Sequence, residues 1–157
     1  MASPFDADGP LGAEHAPPSK TFTVEEANRL LPTIDRIFHE MDNRNVRLQE
    51  VNDLIQDLEA YWGDRLASPD LTDRERYLRL LRERDDLDAS LEEDLQRIRA
   101  LGVLLKDYTT GLVDFSGYLD GELVFLCWQR GETEIKFYHS LEGGYAGRRP
   151  LEKIPQK

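Results

Sequence analysis

Between Leu30 and Trp62 the chain repeats an apolar residue every three or four positions: Leu30, Ile34, Ile37, Met41, Leu48, Val51, Ile55, Leu58 and Trp62. Arg44 is the charged member of the row. This spacing puts one apolar stripe on a long helix, and such a stripe needs a facing helix to cover it. A second row supplies that face at Tyr77, Leu80, Arg84, Leu87, Leu91, Asp94, Ile98 and Leu101. Together the rows predict an antiparallel, coiled-coil-like helical hairpin over residues 23–101.

The ends of the helices carry their own signals. Thr23 and Glu26 form a capping box, in which each side chain satisfies an orphaned backbone N–H. Gly63 is the expected stop of the first helix, and Gly102 of the second. Thr72 and Glu75 repeat the capping pattern at the start of the second helix. Pro32 lies inside the first helix and predicts a kink or break, since proline cannot donate to the Asn28 carbonyl. Pairing the rows about the loop near Pro69 sets Trp62 against Tyr77, Leu58 against Leu80 and Val51 against Leu87. The same register places Arg44 opposite Asp94 as a partly buried ion pair. Arg84, opposite Ile55, reaches for water.

Past Gly102 the period changes from helical to alternating. Val103–Tyr108, Leu112–Leu119, Glu122–Gln129 and Thr133–His139 read as four strands of an antiparallel meander over residues 103–139. Thr109-Thr110-Gly111, Asp120-Gly121 and Gly131-Glu132 are the turns. In this register Val113, Phe115, Leu126, Trp128, Ile135, Phe137 and His139 face the helices. Lys106, Asp114, Cys127 and Lys136 form a row on the other face. A one-residue slip at the Gly131 turn would move His139 across the sheet. The expected fold is therefore α+β, one domain over residues 21–151, with the hairpin capped at its open end by the sheet. Residues 1–20 and 152–157 read as tails, with His15 incidental in the first. Residues 140–151 read as a glycine-rich flexible loop.

The charge balance narrows the partners. Asp and Glu number 31 against 20 Lys and Arg, a net charge of −11, which argues against nucleic acid and anionic membrane surfaces. No apolar run approaches the roughly 18 residues of a membrane span, and no signal-peptide core is present. The lone cysteine, Cys127, excludes an internal disulfide framework and suits a reducing compartment, so a cytoplasmic location is expected.

Two groups of residues carry a resemblance. The first is Thr23-Val24-Glu25-Glu26-Ala27-Asn28 with Leu30-Leu31-Pro32. The second is Lys106-Asp107, Gly111-Leu112-Val113-Asp114-Phe115, Leu126-Cys127-Trp128, Gly131-Glu132, His139 and Gly147-Arg148. Over residues 21–151 the chain resembles the bacterial domain-of-unknown-function family 2203. Ser116 stands where that pattern usually has proline, and Tyr138 where it usually has tryptophan. The resemblance implies a fold and carries no activity.

Candidate site residues follow from chemistry alone. Asp107, Asp114, Cys127, Glu132 and His139 are able to bind a metal or move protons, but ligands must converge. With His139 across the sheet from Asp114 and Cys127, no metal and no other cofactor is expected. Asp107, His139 and Cys127 form the alternative metal set. Asp35 and His39 read as a solvent-facing helix pair. Arg148, behind a run of glycines and part of the family motif, is suited to hold an anion. Ser116 has no activating neighbour in its local motif.

The reading is a non-catalytic interaction or self-associating module. A homodimer through the helices is expected because Phe38, Leu54, Tyr61, Leu78 and Leu95 lie off the seam. A separate protein partner is the other form of this reading. The alternative is a small-ligand or metal-dependent enzyme. Either way the site is expected where the Pro32 break, the sheet and the 143–149 loop meet, with Arg148, His139, Asp107, Asp114 and Asn28 as its residues. Arg148→Ala is expected to spare stability and His139→Ala to lower it.

Overall fold

The computed structural model describes residues 18–151. The expected tails up to residue 17 and from residue 152, His15 included, lie outside the described residues. The elements run α1 (Val24–Trp62), a 3₁₀ turn (Gly63–Ala67), α2 (Asp73–Ala100), β1 (Leu104–Asp107), β2 (Leu112–Leu119), β3 (Glu122–Gln129), β4 (Phe137–His139), a second 3₁₀ turn (Tyr145–Gly147) and β5 (Arg149–Pro150). They form two compact units: residues 33–98, and the segment up to Pro32 together with residues from Arg99 onward. The class is α+β, with one strand more than expected.

The helical unit follows the seam. Val51, Ile55, Leu58 and Leu80 make a buried cluster flanked by Leu54, Trp62, Tyr77, Leu81 and Leu87. Trp62 Nε1 donates to Asp73 Oδ2 at 2.8 Å, closing the turn between α1 and α2. Gly63 has φ +53° and Gly102 φ +88°, left-handed stops that a side chain would strain. Arg44 pairs with Asp94, which is 2% exposed, as the seam register requires. Arg97 Nη1 lies 3.1 Å from the other oxygen of Asp94 and 2.7 Å from Glu40. One buried carboxylate is thus shared by two arginines. Of the five off-seam residues, Phe38 is fully buried and Leu54 and Leu95 are half-buried, while Tyr61 and Leu78 stay exposed.

The expected break at Pro32 does not occur, because α1 continues through it. One missing backbone hydrogen bond is a small loss against the apolar burial on either side, including Leu31, Ile34 and Ile37. The capping box forms as read: Glu26 N–H donates to Thr23 Oγ1 at 3.1 Å, and Thr23 N–H to Glu26 Oε1 at 3.0 Å. Hydrogen bonds from the Thr23 backbone N–H, first, and from its hydroxyl keep the Glu26 carboxyl below the usual range.

In the other unit the sheet is a five-stranded antiparallel meander in the order β1 to β5. Phe22, just before α1, packs edge to face on Phe115 at 5.3 Å, and its N–H donates to the Ser116 carbonyl at 2.8 Å. The β2–β3 turn is Asp120 (φ +53°) and Gly121 (φ +80°), the left-handed pair a two-residue hairpin needs.

The β3–β4 connection differs from the sequence reading. Cys127 pairs with Phe137 and Phe125 with His139, a register one residue away from a tight Gly131-Glu132 turn. The reason lies in side chains that take over backbone donors. Gln129 N–H donates to Glu132 Oε1 at 2.6 Å, and Ile135 N–H donates to Asn28 Oδ1 at 2.7 Å. With those donors engaged, β4 begins at Phe137 instead of Thr133. Paired residues share a face, so His139 and Phe137 leave the face of Val113, Phe115, Leu126 and Trp128. A bulge between Leu105 and Asp107 likewise puts Leu104, not Lys106, opposite Asp114. The region read as a flexible loop contains β5, which pairs Arg149 with Tyr138 and Pro150 with Phe137.

Candidate functional site

The register brings together three residues that the tight-turn reading held apart. Asp114 pairs directly with Cys127 across β2 and β3. His139, on β4, sits on the same face. All three are buried, at 1%, 0% and 3% exposure. One ligand atom from each lies within 4.8 Å of the others. His139 Nε2 is 3.0 Å from Asp114 Oδ2, and its Nδ1 is 2.7 Å from the Ser140 carbonyl oxygen.

These contacts define the imidazole. A carbonyl oxygen only accepts, so Nδ1 carries a hydrogen and donates to Ser140. Nε2 is thereby the nitrogen turned toward Asp114 and Cys127. A histidine whose Nδ1–H is held by a backbone carbonyl presents Nε2 as a ligand. Bringing Nε2 and Oδ2 together requires either a shared proton or a cation. Asp114 Oδ1 has no hydrogen-bond partner among the described residues, although it is buried. Burial pushes the Cys127 thiol up to about 12, the Asp114 charge adds to this, and Arg148 opposes it.

Arg148 lies over the same face. Its guanidinium stacks at 4.1 Å on Phe137, the neighbour of Cys127 across β3 and β4, and at 4.8 Å on Tyr145. Nη2 donates to Glu132 Oε1 at 2.7 Å and to the Cys127 carbonyl at 3.3 Å. Tyr145 OH in turn donates to Gln129 Oε1 at 3.0 Å. Residues 140–148 thus form a strap anchored over the cluster. Burial lowers the Arg148 pKa, but the Glu132 hydrogen bond and the proximity of Cys127 outweigh it and leave the group more basic than usual.

The other candidates stand apart. Asp107 Oδ1 accepts from Thr109 N–H at 2.8 Å and Thr110 N–H at 3.3 Å, a turn-forming role. Asn28 anchors Ile135 from α1. Phe22, just ahead of the same helix, packs on Phe115, on the opposite face from Asp114. Of the five expected site residues, Asp114 and His139 come together and Arg148 lies over the same face, while Asp107 and Asn28 make their contacts elsewhere. Asp35 and His39 form a 3.4 Å surface pair, as read. Glu132, the partner of Arg148, was read only as a general candidate ligand. The signal available for it was the opposite charge of Gly131-Glu132 and Gly147-Arg148 within one motif.

The model of an uncharacterised conserved protein family, DUF2203, matches residues 20–151. The chain belongs to this family. No curated protein and no solved structure matches it. The matched segment of this DUF2203 protein contains every residue of the cluster and its strap. Among the described residues, no helix is long and apolar enough to cross a membrane.

Proposed function

We propose that this DUF2203 domain binds a transition-metal ion of the zinc class through Asp114 Oδ2, Cys127 Sγ and His139 Nε2. The observation that carries the reading is the convergence of these three buried atoms, with His139 Nδ1 already engaged by Ser140. Ligands at about 2.0–2.2 Å in a tetrahedron stand about 3.3 Å apart, so the 3.0 Å contact between Nε2 and Oδ2 need open by only a few tenths. A carboxylate, a thiolate and an imidazole form a borderline-soft set suited to zinc. The ion also places a positive charge beside the Asp114 carboxylate, whose Oδ1 has no hydrogen-bond partner among the described residues. Three protein ligands leave one tetrahedral position for water or an exogenous ligand. The raised thiol pKa means that the ion must displace the Cys127 proton. A reducing, cytoplasmic setting keeps that thiol available, and the acidic surface disfavours nucleic acid.

The test is equilibrium titration of chelator-treated protein with Zn²⁺ and Co²⁺. One ion per chain is expected, with a sulfur-to-cobalt absorption band that is lost in Cys127→Ser. Saturation at a hundred times the dissociation constant adds about 2.7 kcal/mol to stability. Absence of both binding and the band refutes the reading.

A second reading, self-association or capture of a protein partner by the helices, rests on Tyr61 at 78% and Leu78 at 36% exposure. Of the five off-seam residues, Phe38 is buried and Leu54 and Leu95 are half-buried, which leaves Tyr61 and Leu78 as its exposed members. Light scattering tests it: a dimer that dissociates in Tyr61→Ser is expected, and a monomer at micromolar concentration removes it.

A further inference from the structure

Arg148 has a property that the strap alone leaves unexplained. Its side chain is 13% exposed and held on four sides, by Glu132, the Cys127 carbonyl, Phe137 and Tyr145. Yet Nε is buried with no hydrogen-bond partner among the described residues. A buried N–H without an acceptor is costly, and such groups are rare in folded chains. The guanidinium is too basic to shed that hydrogen. A clamp needing only charge would be met by lysine, which leaves no planar fork to satisfy.

Cys127 is the residue of the buried cluster that the guanidinium already contacts. Its carbonyl receives Nη2 at 3.3 Å, which places the guanidinium against this residue. A protonated thiol is a weak acceptor. A thiolate bound to a metal keeps lone pairs directed away from the ion and accepts N–H bonds well.

We infer that Arg148 is a positioning residue of the metal site, whose Nε–H donates to the Cys127 sulfur once that sulfur is a metal-bound thiolate. The inference rests on the metal reading above. It adds a hydrogen bond to a ligand atom, a contact of the kind that orients ligands and tunes an ion's electronics. It also gives Glu132 a defined part: the carboxylate fixes the fork so that Nε, and not Nη2, faces the sulfur. Phe137 and Tyr145, both within 4.8 Å of the guanidinium, shield it from water, which strengthens the N–H···S contact. The orphan N–H of Arg148 then has its acceptor.

The experiment uses the full chain loaded with Co²⁺. An N–H···S bond stabilises the sulfur electrons, so its loss moves the sulfur-to-cobalt band to longer wavelength. Arg148→Met removes the donor and the charge at similar length. Arg148→Lys retains the ion pair with Glu132 and lacks Nε–H. Both are expected to shift the band to longer wavelength, and Arg148→Met to weaken Co²⁺ binding by about 10–100-fold. Arg148→Lys keeps the test decisive if Arg148→Met does not fold. A band at the wild-type position in Arg148→Lys, with wild-type protein binding Co²⁺, overturns this inference and leaves the metal reading standing. Failure of the wild-type protein to bind Co²⁺ overturns both.

Discussion

Removing Arg44 measures how the helical unit tolerates charge in its seam. Asp94 is 2% exposed and is held by Arg44 at Oδ2 and by Arg97 at Oδ1. A buried carboxylate stripped of every partner costs about 3–5 kcal/mol. Arg44→Ala does not strip it, because Arg97 Nη1 remains 3.1 Å from Oδ1. The loss is one charge-assisted hydrogen bond, about 1.5–3 kcal/mol. With a urea slope of about 2 kcal/mol/M, a 2 kcal/mol loss lowers the midpoint by about 1 M. The assay is urea unfolding followed by far-ultraviolet circular dichroism, which reports on α1 and α2. The double variant Arg44→Ala with Arg97→Ala should approach the full 3–5 kcal/mol, while Arg44→Met with Asp94→Leu should recover much of the single loss. An unmoved midpoint in Arg44→Ala, or no further loss on removing Arg97, would refute the account of a shared buried carboxylate.

Three further outcomes are expected. Arg148→Ala lowers the melting temperature of the ion-free protein, opposite to what a solvated loop implies, because the guanidinium stacks on Phe137 and Tyr145; calorimetry checks it. Gly117→Ala destabilises by about 1–3 kcal/mol, since an added Cβ would stand 2.6 Å from the Phe22 carbonyl oxygen; chemical denaturation measures it. Acidification destabilises the helices through Glu40 and Glu83, whose pKa values are lowered by hydrogen bonds from Arg97 and Arg47. Because the folded pKa lies below the unfolded one, this contribution is present above pH 4.5 and fades as pH falls through the folded value. Glu83→Gln should have a smaller drop in urea midpoint between pH 7 and pH 3 than the parent.

The sequence alone determined those parts of this protein whose causes are local. The capping box at Thr23 and Glu26, the glycine stops at 63 and 102, and the Asp120-Gly121 turn depend on neighbouring residues and on backbone angles few residues adopt. The limits of β2 and β3 followed from alternation between recognisable turns. The Arg44–Asp94 pair was legible because a repeating seam carries its register over fifty residues. Tertiary structure decided the candidate site. Whether β4 resumes pairing directly after Gly131 depends on Asn28, which is 107 positions away from Ile135 and accepts its N–H. That bond and the Glu132 bond to Gln129 shift the register by one residue, and in a strand one residue is the whole difference between two faces. His139 therefore joins Asp114 and Cys127 for a reason that no local pattern contains. The strap was hidden for a related reason: β5 is two residues long, too short for any period, and exists because β4 offers it an edge.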